Sequence, residues 1–203
     1  MILKTILKKK KIIIISGDEK SEVVRFVGYL LKRDFSIYHI NRLPCWSDFL
    51  AIMRNDVLVV EDDREEEVKK IKDFFYNHEC IFILTCSKKK KRVRDYLSGF
   101  PEKWDAVIDF SIAKKLHKRR GRNALTFGVD KKSADFYITD IHKREESVNF
   151  KINYKGNIIP FWMDKPLTKR EVYSVLAVLC LAEIMDLNLA KVSCKIREEF
   201  LVN

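Results

Sequence analysis

A continuous β-branched run, Ile12 to Ile15, breaks at Ser16-Gly17 and gives way to apolar residues at helical spacing: Val23, Phe26, Val27, Leu30 and Leu31. The run is too short for a helix, so the opening reads as a buried strand, a tight turn and a helix. The alternation then repeats. Phe35 to His39 is a second strand ending at Asn41 and Pro44, and Trp46, Phe49, Leu50 and Met53 suggest a short helix. Asp56 to Val60 and Ile81 to Leu84 are further buried strands, separated by a helix with Val68, Ile71, Phe74 and Phe75 on one face. A basic stretch, Ser87 to Trp104, reads as a helix closed by Gly99 and Pro101, followed by a strand at Ala106 to Ile108 and a charged connector from Ala113 to Arg122.

Beyond residue 123 the period changes to two. Ala124–Gly128, Asp135–Ile141, Ser147–Tyr154 and Asn157–Phe161 alternate as strands with one solvated face, and Lys155-Gly156 makes a hairpin turn. Pro166 and Thr168 introduce a long helix, Lys169 to Met185, apolar on most faces and so expected to be buried against the sheet. A last helix, Ala190 to Leu201, carries Val192, Ile196 and Phe200 at spacing four. The predicted class is α/β: a P-loop-like parallel sheet flanked by helices, with an antiparallel β-hairpin appendage near residues 124–163. No internal repeat or low-complexity linker interrupts it, and residues 1–203 read as one domain.

A strand-turn-helix opening aims backbone N–H groups at whatever lies beyond the strand's carboxyl end, a geometry suited to phosphate. Lys20 and Ser21 stand where such a loop keeps its phosphate-binding lysine and its Mg²⁺-binding hydroxyl, but the glycine such a loop places just before the lysine is absent. Asp18 and Glu19 fill space that a working loop gives to small residues, and two carboxylates there would oppose a triphosphate by roughly 1 kcal/mol or more each. Two readings of Lys20 therefore stay open, a phosphate ligand or a solvated side chain on an ordinary turn. Glu61, Asp62 and Asp63 follow the Asp56–Val60 strand at the edge where open α/β sheets bind ligands. They suit Mg²⁺, and equally suit the first turn of the next helix.

With 47% hydrophobic residues in 203, a sizeable core is available. No apolar run approaches the roughly 20 residues of a membrane span, and MILKTILKKKK lacks the features of a secretory leader, so a cytoplasmic protein is expected. Five cysteines, odd in number and without a CxxC pair, support neither a disulfide framework nor a zinc site. His39, His78, His117 and His142 are scattered singly. The formal net charge of +11 is concentrated: Lys8–Lys11, Lys88–Arg94 and Lys114–Arg122 hold 16 of the 40 basic residues. Such clusters attract nucleic acid, nucleotides or acidic proteins, although no aromatic residues interleave with them as stacking platforms.

The order of elements resembles the central, ATP-binding domain of the Mur ligase family, the ATP-dependent amide ligases of cell-wall peptide synthesis. The resemblance is strongest in NALTFGVDKKSADFYITDI, similar to the family's Thr-Phe-Gly strand followed by Ala-Asp and another strand. EVYSVLAVLCLAEIMDLNLAKVSCKIREEF is similar to its long helix and closing helix, IIIISGDEKSE to its ATP loop, and DVLVVE to the strand ending in a metal-associated Glu. The resemblance implies nucleotide binding at Gly17, Lys20 and Ser21, metal binding at Glu61, and ATP with Mg²⁺ as cofactors.

The departures define a degenerate version. The loop is one residue short and acidic, and Glu22 stands where a second Thr is usual. The family's Asp-His segment and carbamylated lysine have no counterpart in Ser87–Trp104. Its Asn-Ala-Asp-Asp pattern reads Asp109-Phe110-Ser111-Ile112, and its His-Asn pair reads Arg170-Glu171. The match reaches nearly the whole chain but corresponds to the middle third of a typical family enzyme, so neither flanking domain has a counterpart. The expectation is a pseudoenzyme, a non-catalytic Mur-ligase-like module that binds a protein partner of the cell-wall or division machinery. A divergent ATP-binding subunit acting with a separate partner is the alternative, and a basic nucleic-acid-binding protein a third.

Overall fold

Strands without polar alternation need cover on both faces, and the first half of the chain supplies it. The computed structural model describes residues 7, 9–61, 68–85, 101, 103–113 and 123–202. Strand β1 (Lys11–Ser16) leads to helix α1 (Lys20–Leu31), β2 (Ile37–Ile40) and helix α2 (Phe49–Arg54), the last preceded by a 3₁₀ turn at Trp46–Asp48. Then follow β3 (Val57–Glu61), α3 (Val68–Phe75), β4 (Cys80–Leu84), β5 (Asp105–Asp109) and the single turn α4 (Phe110–Ala113). The second half comprises β6 (Ala124–Val129), β7 (Phe136–Lys143), β8 (Val148–Tyr154), β9 (Asn157–Met163), α5 (Lys169–Ile184) and α6 (Leu189–Val202).

All nine described strands join one sheet in the order β2-β3-β1-β4-β5-β6-β7-β8-β9. Pairing is parallel from β2 through β7 and antiparallel for β7-β8-β9. The appendage predicted near residues 124–163 is thus entered through β6, which pairs parallel on both sides, and its antiparallel part starts at Phe136. Lys155 (φ 48°) and Gly156 (φ 77°) turn β8 into β9 with two successive left-handed residues, as a two-residue hairpin requires. The chain leaves β1 toward β2 and β3 on one side, then crosses to β4 and β5 on the other. The carboxyl ends of β1 and β4 therefore form a topological switch point, the place where open α/β sheets bind ligands.

Successive residues of β1 feed opposite cores. Ile13 and Ile15 join α1, α5 and α6, whereas Ile12 and Ile14 join Ile52, Ile71, Phe75 and Trp104. Helix α5 is apolar all round because it is enclosed all round, lying on β4 to β7 between α1 and α6, with Ser174 through Ala182 buried without a break. At nine consecutive buried residues, any large-to-small change there leaves a cavity.

The short helix expected from Trp46, Phe49, Leu50 and Met53 is present, as the 3₁₀ turn and α2 together. Trp46 is 65% exposed, Leu50 60% and Met53 50%, while Ile52 and Asp48 are buried. Asp48 decides which face turns in. Its carboxylate accepts from Arg42 Nη1 at 2.5 Å, Arg42 Nη2 at 2.8 Å, the Tyr38 hydroxyl at 2.6 Å and the Cys45 N–H at 2.8 Å. The Arg42 guanidinium above all holds the Asp48 carboxyl well below the usual carboxylate range. A carboxyl with a depressed folded pKa adds stability at neutral pH, which is lost as pH falls through that depressed value. Asp48→Asn should cost about 1–3 kcal/mol in urea unfolding at pH 7, the range for unpairing buried polar groups. The gap between variant and parent should close progressively below the usual carboxylate range.

Candidate functional site

The switch point is closed by one residue from each strand end. Gly17 follows β1 at φ 113°, and a Cβ built on it would lie 2.1 Å from Thr85 Oγ1 and 2.6 Å from the Thr85 carbonyl oxygen. Only glycine permits both that backbone and that approach. Thr85, just past β4, donates its N–H to the Ser16 carbonyl at 2.9 Å and its hydroxyl to the same oxygen at 3.1 Å. The Glu19 N–H donates to Thr85 Oγ1 at 3.3 Å. The loop is thereby pinned to the neighbouring strand.

Helix α1 starts at Lys20 with Glu19 as its N-cap, and no side chain caps the helix. The dipole of the helix favours an anion placed at this end. Ser21, in the first turn, donates its hydroxyl to Glu61 Oε1 at 2.8 Å, and His39 Nε2 lies 3.3 Å from Glu61 Oε2. Residues forty positions apart in sequence therefore meet at the carboxyl edge of the sheet, Ser21 from beyond β1 and Glu61 from the end of β3. Lys20 is half-buried on the same turn. Among the described residues no group of three or more His, Cys, Asp or Glu gathers as a metal cage. Mg²⁺ commonly takes one or two protein oxygens and completes its shell with phosphate and water, so the Ser21–Glu61 oxygen pair fits that ion.

Two of the acidic residues here, Glu19 in the loop and Glu22 in α1, are paired with arginines. Glu19 Oε2 lies 3.2 Å from Arg170 Nε at the start of α5, and Glu22 Oε2 lies 2.6 Å from Arg25 Nη2. Arg25 Nη2 also donates to Glu171 Oε1 at 2.8 Å. Glu171 accepts from the Thr168 N–H at 2.8 Å while its own N–H donates to Thr168 Oγ1 at 3.2 Å, closing a capping box on α5. Burial pushes the Glu171 carboxyl up, but the Thr168 and Arg25 contacts outweigh it and hold the group below its ordinary value. The first turns of α1 and α5 are cross-braced by these pairs.

No protein-family model matches the sequence, and no curated protein matches it significantly. Solved structures do match in fold. MurF ligase from Thermotoga maritima in complex with ADP superposes with a TM-score of 0.70 at 14% identity, covering 96% of this chain and 52% of that one. A pseudomurein peptide ligase type C from Methanothermus fervidus gives 0.70 at 14% identity over 96% and 51% of the two chains. An FPGS-AMPPCP complex gives 0.63 at 11% identity over 96% and 64%.

The fold is Mur-ligase-like. At these identities the likeness is one of architecture, and the chain spans about half the length of the Thermotoga maritima and Methanothermus fervidus ligases.

Within that Mur-ligase-like frame, the residues of the Thr-Phe-Gly and Ala-Asp segments make structural contacts. Thr126 donates its N–H and its hydroxyl to Asp135 Oδ2 at 2.8 and 2.7 Å, and the Asp135 N–H returns a bond to Thr126 Oγ1 at 3.0 Å. The three bonds clamp the β6–β7 connection. Gly128 is needed because a Cβ there would lie 2.8 Å from Lys131 Cγ. Asp109, buried at the end of β5, accepts from the Ser111 N–H at 2.7 Å, from the Ser111 hydroxyl, and from the Tyr173 hydroxyl at 2.7 Å.

Gly17, Lys20, Ser21 and Glu61 all lie at this one edge, and the Ser21–Glu61 pairing is direct. Thr85, His39 and the Glu19–Arg170 contact escaped the sequence reading. Thr85 could have been found as a polar residue ending an apolar strand. The other contacts join elements that share no sequence signal. Asp62, Asp63, His117, Lys8, Lys88–Arg94 and Lys114–Arg122 lie outside the described residues. Of the first basic segment, Lys10 Nζ donates to the Met53 carbonyl at 3.0 Å and Lys11 Nζ sits 5.4 Å from the Phe35 ring centre. No helix among the described residues is long and apolar enough to cross a membrane.

Proposed function

We propose that this chain is a Mg²⁺-nucleotide-binding domain of Mur-ligase-like architecture. The observation that carries the reading is the 2.8 Å contact of Ser21 Oγ with Glu61 Oε1, in the first turn of a helix whose N-cap side chain makes no capping hydrogen bond. A hydroxyl and a carboxylate brought together beside a lysine and a glycine turn are the parts a Mg²⁺-polyphosphate site needs. In this role Gly17 sets the turn against Thr85 that aims α1 at the phosphates, Lys20 neutralises them, and Ser21 and Glu61 supply oxygens to the cation. ATP, when bound, contributes a transferable phosphoryl group; the reading for this chain stops at binding. The ADP and AMPPCP in two of the matched structures support it as analogy of fold alone.

Glu61→Gln keeps the hydrogen bond to Ser21 and removes the charge. If the pair holds the cation, Mg-ATP should raise the melting temperature of the parent more than ATP with EDTA does, and Glu61→Gln should remove that difference. Equal shifts with and without Mg²⁺ in the parent would exclude Ser21 and Glu61 as metal ligands.

A second reading, a non-catalytic module for a protein partner, is favoured by the exposed Trp46, Leu50 and Met53 at helical spacing on one face. Replacing Trp46 and Leu50 by Ser should then abolish co-purification of a stoichiometric partner from the source cell, with the melting temperature of the chain unchanged. Retention of the partner by that variant would reject this face as its seat.

A further inference from the structure

A phosphate loop with carboxylates at positions 18 and 19 needs a source of positive charge that an ordinary loop does not, and the fold brings one from 151 residues away in sequence. Glu19 is the N-cap residue of α1, so a charge on its side chain stands beside the N–H groups an anion would use. Its carboxylate does not cap the helix; it is drawn to Arg170, whose Nε lies 3.2 Å from Oε2. Arg170 is held in place from behind. It occupies the first turn of α5, fixed by the Thr168–Glu171 capping box, and Glu171 is tied in turn to Arg25 on α1. The Arg170 side chain is 73% exposed, and a guanidinium carries five N–H donors in a planar fork, so one carboxylate contact through Nε does not exhaust it.

We propose that Arg170 is a positioning residue for the polyphosphate of the nucleotide: it holds Glu19 aside from the helix N-terminus and shares its remaining donors with the phosphates. This rests on the nucleotide reading above and assigns the group that makes an acidic loop compatible with it. The Glu19 and Arg170 positions are coupled, so that neither departure from the usual ligase pattern works without the other. The alternative, that the two residues form an ordinary surface pair, predicts a weak and salt-sensitive contribution to folding and none to binding.

The test is a double-mutant cycle on the full chain, with Mg-ATP, Mg-ADP and AMP as titrants in calorimetry and near-ultraviolet circular dichroism as the check on folding. Arg170→Ala should weaken Mg-ATP by about tenfold or more, because it removes a cation and uncovers an anion at short range. Glu19→Gln should leave Mg-ATP affinity equal or higher. The double variant should recover part of the loss, the part due to the uncovered Glu19 charge, and Arg170→Lys part of it as well. The loss in Arg170→Ala should grow from AMP to ADP to ATP, a dependence on phosphate number that damage to the fold would not produce. Parent-like binding of Mg-ATP by Arg170→Ala, additive effects in the double variant, or equal losses for AMP and ATP would each overturn the assignment while leaving nucleotide binding intact. Failure of the parent chain to bind Mg-ATP would remove the nucleotide reading itself, and the role of Arg170 with it.

Discussion

Gly17→Ala should destabilise the chain by about 3 kcal/mol or more, the largest effect expected of any single added methyl group here. Two costs combine. The φ of 113° is a backbone conformation that L side chains rarely adopt, and the new Cβ would stand 2.1 Å from Thr85 Oγ1 and 2.6 Å from the Thr85 carbonyl oxygen. Rotating the Thr85 side chain relieves only the first contact and forfeits the hydroxyl bonds to Ser16 and Glu19. The carbonyl oxygen belongs to backbone and cannot step aside without moving the end of β4. Urea unfolding reads the result directly. A loss under 1 kcal/mol would mean that the turn adopts another conformation, and the close packing of β1 against β4 at the site would be wrong.

Lys20→Ala is the counterpart for binding. Lys20 is half-buried on the first turn of α1, next to Ser21, and its removal takes away the cation that best matches a β or γ phosphate. Charge-assisted hydrogen bonds contribute roughly 1.5–3 kcal/mol, which corresponds to a loss of about tenfold to a hundredfold in Mg-ATP affinity. The unliganded melting temperature should move little, since a partly exposed lysine contributes little to folding. Unchanged affinity in Lys20→Ala would return this residue to the role of a solvated lysine on a strand-to-helix turn, the other reading its sequence position allows.

The elements of this chain are readable in its sequence wherever one period dominates. The β-branched run at Ile12–Ile15 and the apolar run at Asp56–Val60 became inner strands because nothing polar interrupts their apolar residues, and Lys155-Gly156 became a hairpin turn because two left-handed residues are needed there. Helix α5 could be read as buried because it lacks a polar face. Periodicity located α2 but not the face it turns inward. A buried carboxylate with five hydrogen bonds, Asp48, takes the inner face in place of Trp46, Leu50 and Met53, and that preference depends on Arg42 and Tyr38, which belong to other elements.

The candidate site divides the same way. Gly17, Lys20 and Ser21 are legible as a local strand-turn-helix pattern, and Glu61 as a carboxylate at the end of a strand. What local pattern cannot convey is that an acidic loop has its charge answered elsewhere. Read alone, Asp18 and Glu19 argue against phosphate; Arg170, 3.2 Å from Glu19, answers one of those two charges.

The central claim is that a Mg²⁺-polyphosphate fits against Gly17, Lys20, Ser21 and Glu61. Isothermal titration of the parent chain with Mg-ATP tests it most directly. The account predicts saturable binding at one site per chain, weakened by EDTA and by Lys20→Ala. Absence of saturable binding at millimolar Mg-ATP by a correctly folded chain would contradict it.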